Sequence, residues 1–403
     1  MSVSTLPCTT ASHWLTEERI RVYSGIVFGI FVLAYLALTV MSLPDGVDPR
    51  GAPIGYDFIT FWSGARLALL GRPEAVFDWQ AIVAAQHAAV PAMSEKPFLW
   101  HYPPTFLLAV LPLGLMPYIA AFAAFSAASV ALWAVLVRRV APDPRYWIVA
   151  AAMPAGLINF FHGQNGFLTA ALAGFALLLL DAQPIAAGVL IGLLAIKPHL
   201  AILFPVALVA SRNWRAFAAA AMTTVVFTAA SIAAFGWPTV TAFIHDMPSA
   251  GILIDTGMLS WGKMPSPYVF ALGLGTPRPV AMALQAIIAI AAVYAVWRVW
   301  REPRAPFAAR AATLLTAALL MSPYVFYYDM TWAGLAIGLL ALSAGAAGFL
   351  KGEREVLLAA WIAPILMVPI YKLTGVQASA VVLVLLLAVA VRRASATPSS
   401  LSR

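Results

Sequence analysis

From Tyr146 to Leu180 the chain carries no lysine, arginine, aspartate or glutamate, and from Ala182 to Ser211 it carries one, Lys197. Soluble proteins are about one-quarter charged, so stretches this bare cannot cover a surface facing water. They can cover one facing lipid. Apolar runs near 22–41, 104–137, 146–160, 167–180, 184–210, 216–235, 268–297, 307–321, 330–349, 355–370 and 376–391 repeat the pattern, and charged residues make up only 10% of the 403. Runs of about 15–25 residues match the hydrocarbon thickness for helices. The short alternating segments of a membrane β-barrel are absent. An all-α integral membrane protein is expected, with about 11–13 spans. The spread reflects Pro112 and Pro117 in one run and Lys197-Pro198 in another, each able to kink, divide or re-enter a span.

The net charge of +8 is no nucleic-acid footprint, because the basic residues fall in short clusters between apolar runs: Arg138-Arg139, Arg212–Arg215, Arg298–Arg310, Lys351–Arg354 and Arg392-Arg393. Such clusters mark cytoplasmic loops. On that assignment 159–166, 236–267, 322–329 and 371–375 lie on the opposite face, together with a long first loop at 43–101. Residues 1–21 and 393–403 become cytoplasmic tails around a single membrane domain at 22–392. The first apolar run is too long for a signal-peptide core and lacks a convincing cleavage site, so it is expected to be a retained helix. Cys8 is the only cysteine, which rules out an internal disulfide, a CxxC redox pair or a multi-thiolate metal site.

Polar groups in or beside spans are costly and are functional candidates for that reason. Between Arg310 and Lys351 the one charged residue is Asp329, in "SPYVFYYDMTW", beside Tyr328. "NFFHGQNGF" supplies His162, Gln164 and Asn165, and "LAIKPHLAIL" supplies Lys197 and His199. Lys197 before a proline suggests an unwound segment lining a cavity, while Asp329 can pair with it or cap the next helix. His101 and Tyr102, in "WHYPPTF", fit an aromatic belt as well as a binding wall. In the long loop, Asp57 and Asp78 each precede a short helical pattern, the first closed by Gly71 and the second ending before Pro91. The first pattern sets Ile59, Trp62, Leu69 and Leu70 on an apolar side and Ser63 and Arg66 opposite, which suits an interfacial helix. Asp78 reads best as a cap. Asp57 is a candidate for both capping and chemistry. There is no Walker A, HExxH, GxSxG or DxD motif, so ATP-driven transport, zinc proteolysis and metal-dependent use of nucleotide sugars lose support.

The block "YDFITFWSGARLALLGRPEAVFD", followed by "YPP", "GQNG", "KP" and "SPY…YD", resembles bacterial polyprenol-phosphate-dependent glycosyltransferases of family 87. These are membrane enzymes of the GT-C class, which include mycobacterial phosphatidylinositol-mannoside mannosyltransferases. The resemblance runs from about residue 20 to 390, and its most specific part is D-F-x-x-F/Y-W-x-G-A-R. It implies a GT-C helical bundle in the bacterial plasma membrane and inverting transfer of a hexose or pentose, mannose first, with no cofactor or metal. The donor would be a polyprenyl-monophosphate sugar and the acceptor a lipid or glycan on the extracytoplasmic side. Carried over to this chain, the catalytic base is Asp57; Gln164, Asn165, Lys197, Tyr328 and Asp329 match short substrate-binding segments. Lys197 or Arg66 would offer a cation to the lipid phosphate. A flippase for lipid-linked saccharide is the competing reading, since carriers also keep buried Asp and Lys. A purely structural protein would leave Lys197 and Asp329 without a purpose.

Overall fold

The computed structural model describes residues 14–94 and 96–396, and Cys8 lies outside them. Helices account for all the regular structure among the described residues, apart from one isolated bridge between Val47 and Pro53. The protein is an all-α membrane protein. In chain order the helices are α1 (Glu17–Ser42), α2 (Phe58–Leu69), α3 (Trp79–Ala89), α4 (Pro104–Val110), α5 (Tyr118–Val140), α6 (Trp147–Ala151), α7 (Pro154–Phe161), α8 (Gly166–Leu179) and α9 (Pro184–Leu193). There follow α10 (Pro198–Ala201), α11 (Phe204–Ala210), α12 (Trp214–Phe235), α13 (Trp237–Asp255), α14 (Pro267–Gly273), α15 (Arg278–Trp300), α16 (Phe307–Leu320), α17 (Thr331–Ala347), α18 (Glu353–Thr374) and α19 (Ser379–Ala394).

Among the described residues six helical segments are long and apolar enough to cross a bilayer: α1, α5, α12, α15, α18, and α17 with the turn before it. Five further apolar segments are shorter. Proline is the reason. A residue that lacks its N–H and fixes φ starts a helix easily and interrupts one at a cost of about 3 kcal/mol. Pro104, Pro154, Pro184, Pro198 and Pro267 each open a new helix inside or at the edge of an apolar run. The region 236–267, expected as a loop, contains α13. Its Pro238, His245, Asp246 and Pro248 dilute the apolar signal that would have marked it.

The long first loop is a packed cap. Phe58, Ile59, Phe61, Trp100, Phe106 and Leu107 form a cluster of their own, with Phe122 of α5 joining it. One side of α2 differs from the expectation: Ser63, placed opposite the apolar side, is fully buried, while Arg66, Leu69 and Leu70 are exposed. Small residues allow the close packing: a Cβ on Gly64 would come within 2.9 Å of the Trp100 ring. Gly71, with φ +75°, ends the helix region as expected.

α17 connects the two ends of the bundle. It starts just after Asp329 and ends at Gly348, a rise of about 25 Å at 1.5 Å per residue. At its far end Arg393 donates to Glu353 from Nε at 2.6 Å and again from the guanidinium, and also donates to Gly348 O at 2.8 Å. Arg298, Lys351 and Arg392 line a cavity of about 660 Å³ at that end. Residues of three of the basic clusters, those at 298–310, 351–354 and 392–393, thus gather one helix length away from Asp329.

Candidate active site

Asp57 occupies the N-cap position of α2 without acting as a cap. Its backbone is already helical and its carboxylate takes no bond from the helix N-terminus. Asp78, by contrast, caps α3 by accepting from Ala81 N at 2.9 Å. The cause lies in the turn before α2. Gly55 has φ +83° and Tyr56 has φ +46°, a left-handed conformation that is rare and strained for an aromatic residue. Tyr56 is held there from two sides: its hydroxyl donates to Asp48 Oδ2, and its ring stacks on His162 at 5.2 Å. The turn points the Asp57 side chain away from its own helix, toward the connection between α7 and α8.

That connection is the "HGQNG" stretch. Gly163, at φ +56°, lies so close to the Asp57 turn that a Cβ there would come within 2.6 Å of Phe58 Cβ and 2.9 Å of Gly55 O. Gln164 Nε2 donates to Asp57 Oδ2 at 3.1 Å. Gln164 Oε1 accepts from the Tyr102 hydroxyl at 3.0 Å and from Asn165 N at 3.2 Å. An amide oxygen engaged by two donors fixes which way the amide points, so the NH2 faces Asp57. Asn159 Oδ1 accepts from Gly166 N at 2.6 Å, and a Cβ on Gly166 would meet that oxygen and Tyr328 O, both at 2.6 Å.

Lys197 sits where the 184–210 run breaks. A short 3-10 turn ends at Ile196, Lys197 is extended at φ −147°, and α10 begins at Pro198. Its ammonium lies 2.5 Å from Asp329 Oδ1 and 3.3 Å from Asn165 Oδ1, above the rings of Tyr102 and Tyr328. Asp329 Oδ2 accepts from Phe326 N at 3.1 Å, which caps the turn leading into α17. The ion-pair role read for Asp329 is therefore filled, while its capping bond serves the 3-10 turn Tyr327–Met330 and α17 itself takes no side-chain cap. Its carboxylate is only 1% exposed.

The histidines flank this core. His162 shares a 2.6 Å hydrogen bond with the Tyr327 hydroxyl, and burial pushes its imidazole down to about 4, so it is neutral near pH 7. His199 and His101 both pack edge-on against Tyr324, and His101 Nδ1 lies 3.5 Å from Asp246 of α13. Thus Asp57, Tyr102, His162, Gln164, Asn165, Lys197, Tyr328 and Asp329 form one connected neighbourhood, with His101 and His199 on its flank. Arg66 does not join it. Its guanidinium is exposed, donates to Gly114 O at 3.2 Å and stacks on Trp62, because α2 turns that side toward the Pro112–Met116 bend. Sequence reasoning passed over Tyr56, Tyr324, Tyr327 and Lys263, the last with its ammonium 5.5 Å from the Tyr327 ring centre. Among the described residues no three His, Cys, Asp or Glu side chains cluster as metal ligands would.

Chemically, the site offers one carboxylate whose orientation is set and one that is already satisfied. Asp57 is half-buried, and among the described residues it accepts one side-chain hydrogen bond, at Oδ2, and none at Oδ1. Tyrosine hydroxyls, side-chain amides and the neutral His162 imidazole around it can each donate and accept hydrogen bonds, as a polyhydroxylated ligand requires. The family model for glycosyltransferase family 87 matches residues 100–323. No curated protein and no solved structure matches the chain.

Proposed function

Because the chain belongs to glycosyltransferase family 87, we propose that it is an inverting transferase using a polyprenyl-monophosphate sugar as donor and a lipid or glycan as acceptor, with Asp57 as general base. The sugar is a hexose or pentose, mannose first. The observation that carries this reading is the release of Asp57 from its cap position into a hydrogen bond with Gln164. A carboxylate needed only for the helix would take the cap, as Asp78 does.

In the proposed step the acceptor hydroxyl oxygen attacks the anomeric carbon from the side opposite the phosphate. The new C–O bond forms as the bond from the anomeric carbon to the phosphate oxygen breaks. That electron pair leaves on the polyprenyl phosphate, and the hydroxyl proton passes to Asp57 Oδ1. One displacement inverts the anomeric configuration. General-base help of this kind contributes about 10²–10⁴-fold. Gln164 keeps the carboxylate aimed, and Tyr102 and Asn165 keep Gln164 aimed. Lys197 and Asp329 hold the hairpin through Asn165 and act as positioning residues.

The placement of charge supports the extracytoplasmic face of the bacterial plasma membrane. Residues of three basic clusters gather at one end of α17 and the site lies at the other, as the positive-inside rule requires if the site faces away from the cytoplasm. A donor on that side has to be supplied by the bilayer, which favours a prenyl-linked sugar over a nucleotide sugar. Family membership leaves the flippase reading without support. The test uses purified protein in nanodiscs, radiolabelled polyprenyl-phosphate sugars alongside labelled nucleotide sugars, and a membrane lipid extract. Label passing from a polyprenyl donor to a new lipid or glycan, with inverted anomeric configuration, is expected. Transfer from nucleotide sugars alone would overturn the donor assignment.

A further inference from the structure

A departing lipid phosphate needs a cation or several donors to receive its growing charge. Neither cation suggested by the sequence is free to do so. Lys197 is buried and neutralised by Asp329, and Arg66 is committed to Gly114 O on another side of α2. Lys263 differs from both. It ends the 3-10 turn Trp261–Lys263, which sits on α18 so closely that a Cβ on Gly262 would meet the Tyr371 ring at 2.9 Å; Gln377 Nε2 donates to Gly262 O at 2.7 Å. The turn is therefore fixed, and it lays the half-buried ammonium over Tyr327, whose hydroxyl is bonded to His162. Among the described residues that ammonium makes no side-chain hydrogen bond and no ion pair. Burial pushes its pKa down, and the Asp57 charge acts on it, as do those of Lys96 and Arg50. Lys96 and Arg50 are both exposed. A cation–π contact offsets only part of the cost of a desolvated, unpaired cation. Such a group, over a tyrosine that is hydrogen-bonded to His162 of the candidate site, is poised for an anion.

We propose that Lys263 forms a subsite for a lipid-borne phosphate on the Tyr327–His162 side of the candidate site. The inference rests on the glycosyl-transfer reading for its place in the reaction, with Lys263 receiving the phosphate as its bond to the sugar breaks.

Binding is measured in nanodiscs with two matched pairs of probes: a polyprenyl monophosphate against the uncharged polyprenol, and phosphatidylglycerol against diacylglycerol. Wild type is expected to prefer the charged member of one pair by on the order of tenfold or more. K263Q loses that preference and K263R keeps most of it. A preference within the polyprenyl pair assigns the phosphate to the donor, and one within the glycerolipid pair assigns it to an acceptor. No preference in wild type, or an undiminished one in K263Q, overturns the subsite. Thermal stability without ligand gives a second readout: K263M should match or exceed wild type, and a clear loss would make the lysine structural. Label transfer by wild type, run in parallel, separates the two claims. A lost preference with no transfer from any donor leaves the subsite standing and removes the transferase reading; transfer with an undiminished preference in K263Q does the reverse.

Discussion

Lys197 and Asp329 give the sharpest stability prediction. Their side chains are 4% and 1% exposed and their charges are 2.5 Å apart. At an effective dielectric of about 20 the attraction is roughly 7 kcal/mol, comparable with a desolvation cost of several kcal/mol for each ion. The intact pair therefore adds little net stability, but removing one member strands the other. K197M leaves a buried carboxylate facing Asn165 and tyrosine rings and should cost about 3–5 kcal/mol. D329N strands the lysine at a similar cost, although Asn can still accept from Phe326 N, which now bonds Oδ2 at 3.1 Å. The double variant K197M/D329N removes both charges and keeps that acceptor. It should be about 2–3 kcal/mol more stable than K197M. Unfolding free energies from SDS titration of the three variants and wild type form the cycle. A double variant no more stable than K197M, or a K197M indistinguishable from wild type, would refute the claim that the two charges exist to neutralise each other.

Gly166→Ala puts a Cβ 2.6 Å from both Asn159 Oδ1 and Tyr328 O; unfolding in SDS should show a loss of about 1–3 kcal/mol, with activity falling as the hairpin shifts. The depressed pKa of His162, about 4 against an unfolded value near 6.5, means the unfolded chain binds the extra proton between those limits. The stability this residue contributes is complete above about pH 6.5 and is lost as pH falls toward 4, by up to about 3 kcal/mol. His162→Gln should flatten that part of a stability–pH profile, and a profile identical to wild type would count against a buried neutral imidazole. Arg66→Ala removes a bond to Gly114 O and the stacking on Trp62. It should cost about 1 kcal/mol of stability and leave the donor KM unchanged; a raised KM would return Arg66 to the site.

What the sequence made legible is what stands out against an apolar background. Lys197, Asp329 and the Gln164–Asn165 pair are visible because so little else near them is polar, and the break at Lys197 follows from the proline after it. The same contrast identifies a membrane protein, and proline explains why fewer full-length helices exist than apolar runs suggest. Lys263 was hidden for the opposite reason. It lies among Trp261, Pro265 and Pro267 in a stretch with loop composition, where a lysine is unremarkable until tertiary packing lays it over Tyr327. Helix periodicity also misplaced Ser63 of α2, because it cannot foresee that aromatic rings from α4, α5 and the segment around Trp100 pack over that part of the helix. Asp57 shows the limit most clearly: the pattern left it open between capping and chemistry, and only the strained Tyr56 turn explains why it makes no cap bond.

The most direct test of the account is the single-turnover rate of Asp57→Asn with a donor that wild type uses. Asparagine can still accept from Gln164 and makes no cap bond that could be lost, so stability should change by less than about 1 kcal/mol. The expected result is a folded protein that binds donor like wild type and transfers sugar about 10²–10⁴ times more slowly. Transfer within tenfold of wild type, by protein of matched stability, would contradict the assignment of Asp57 as the base.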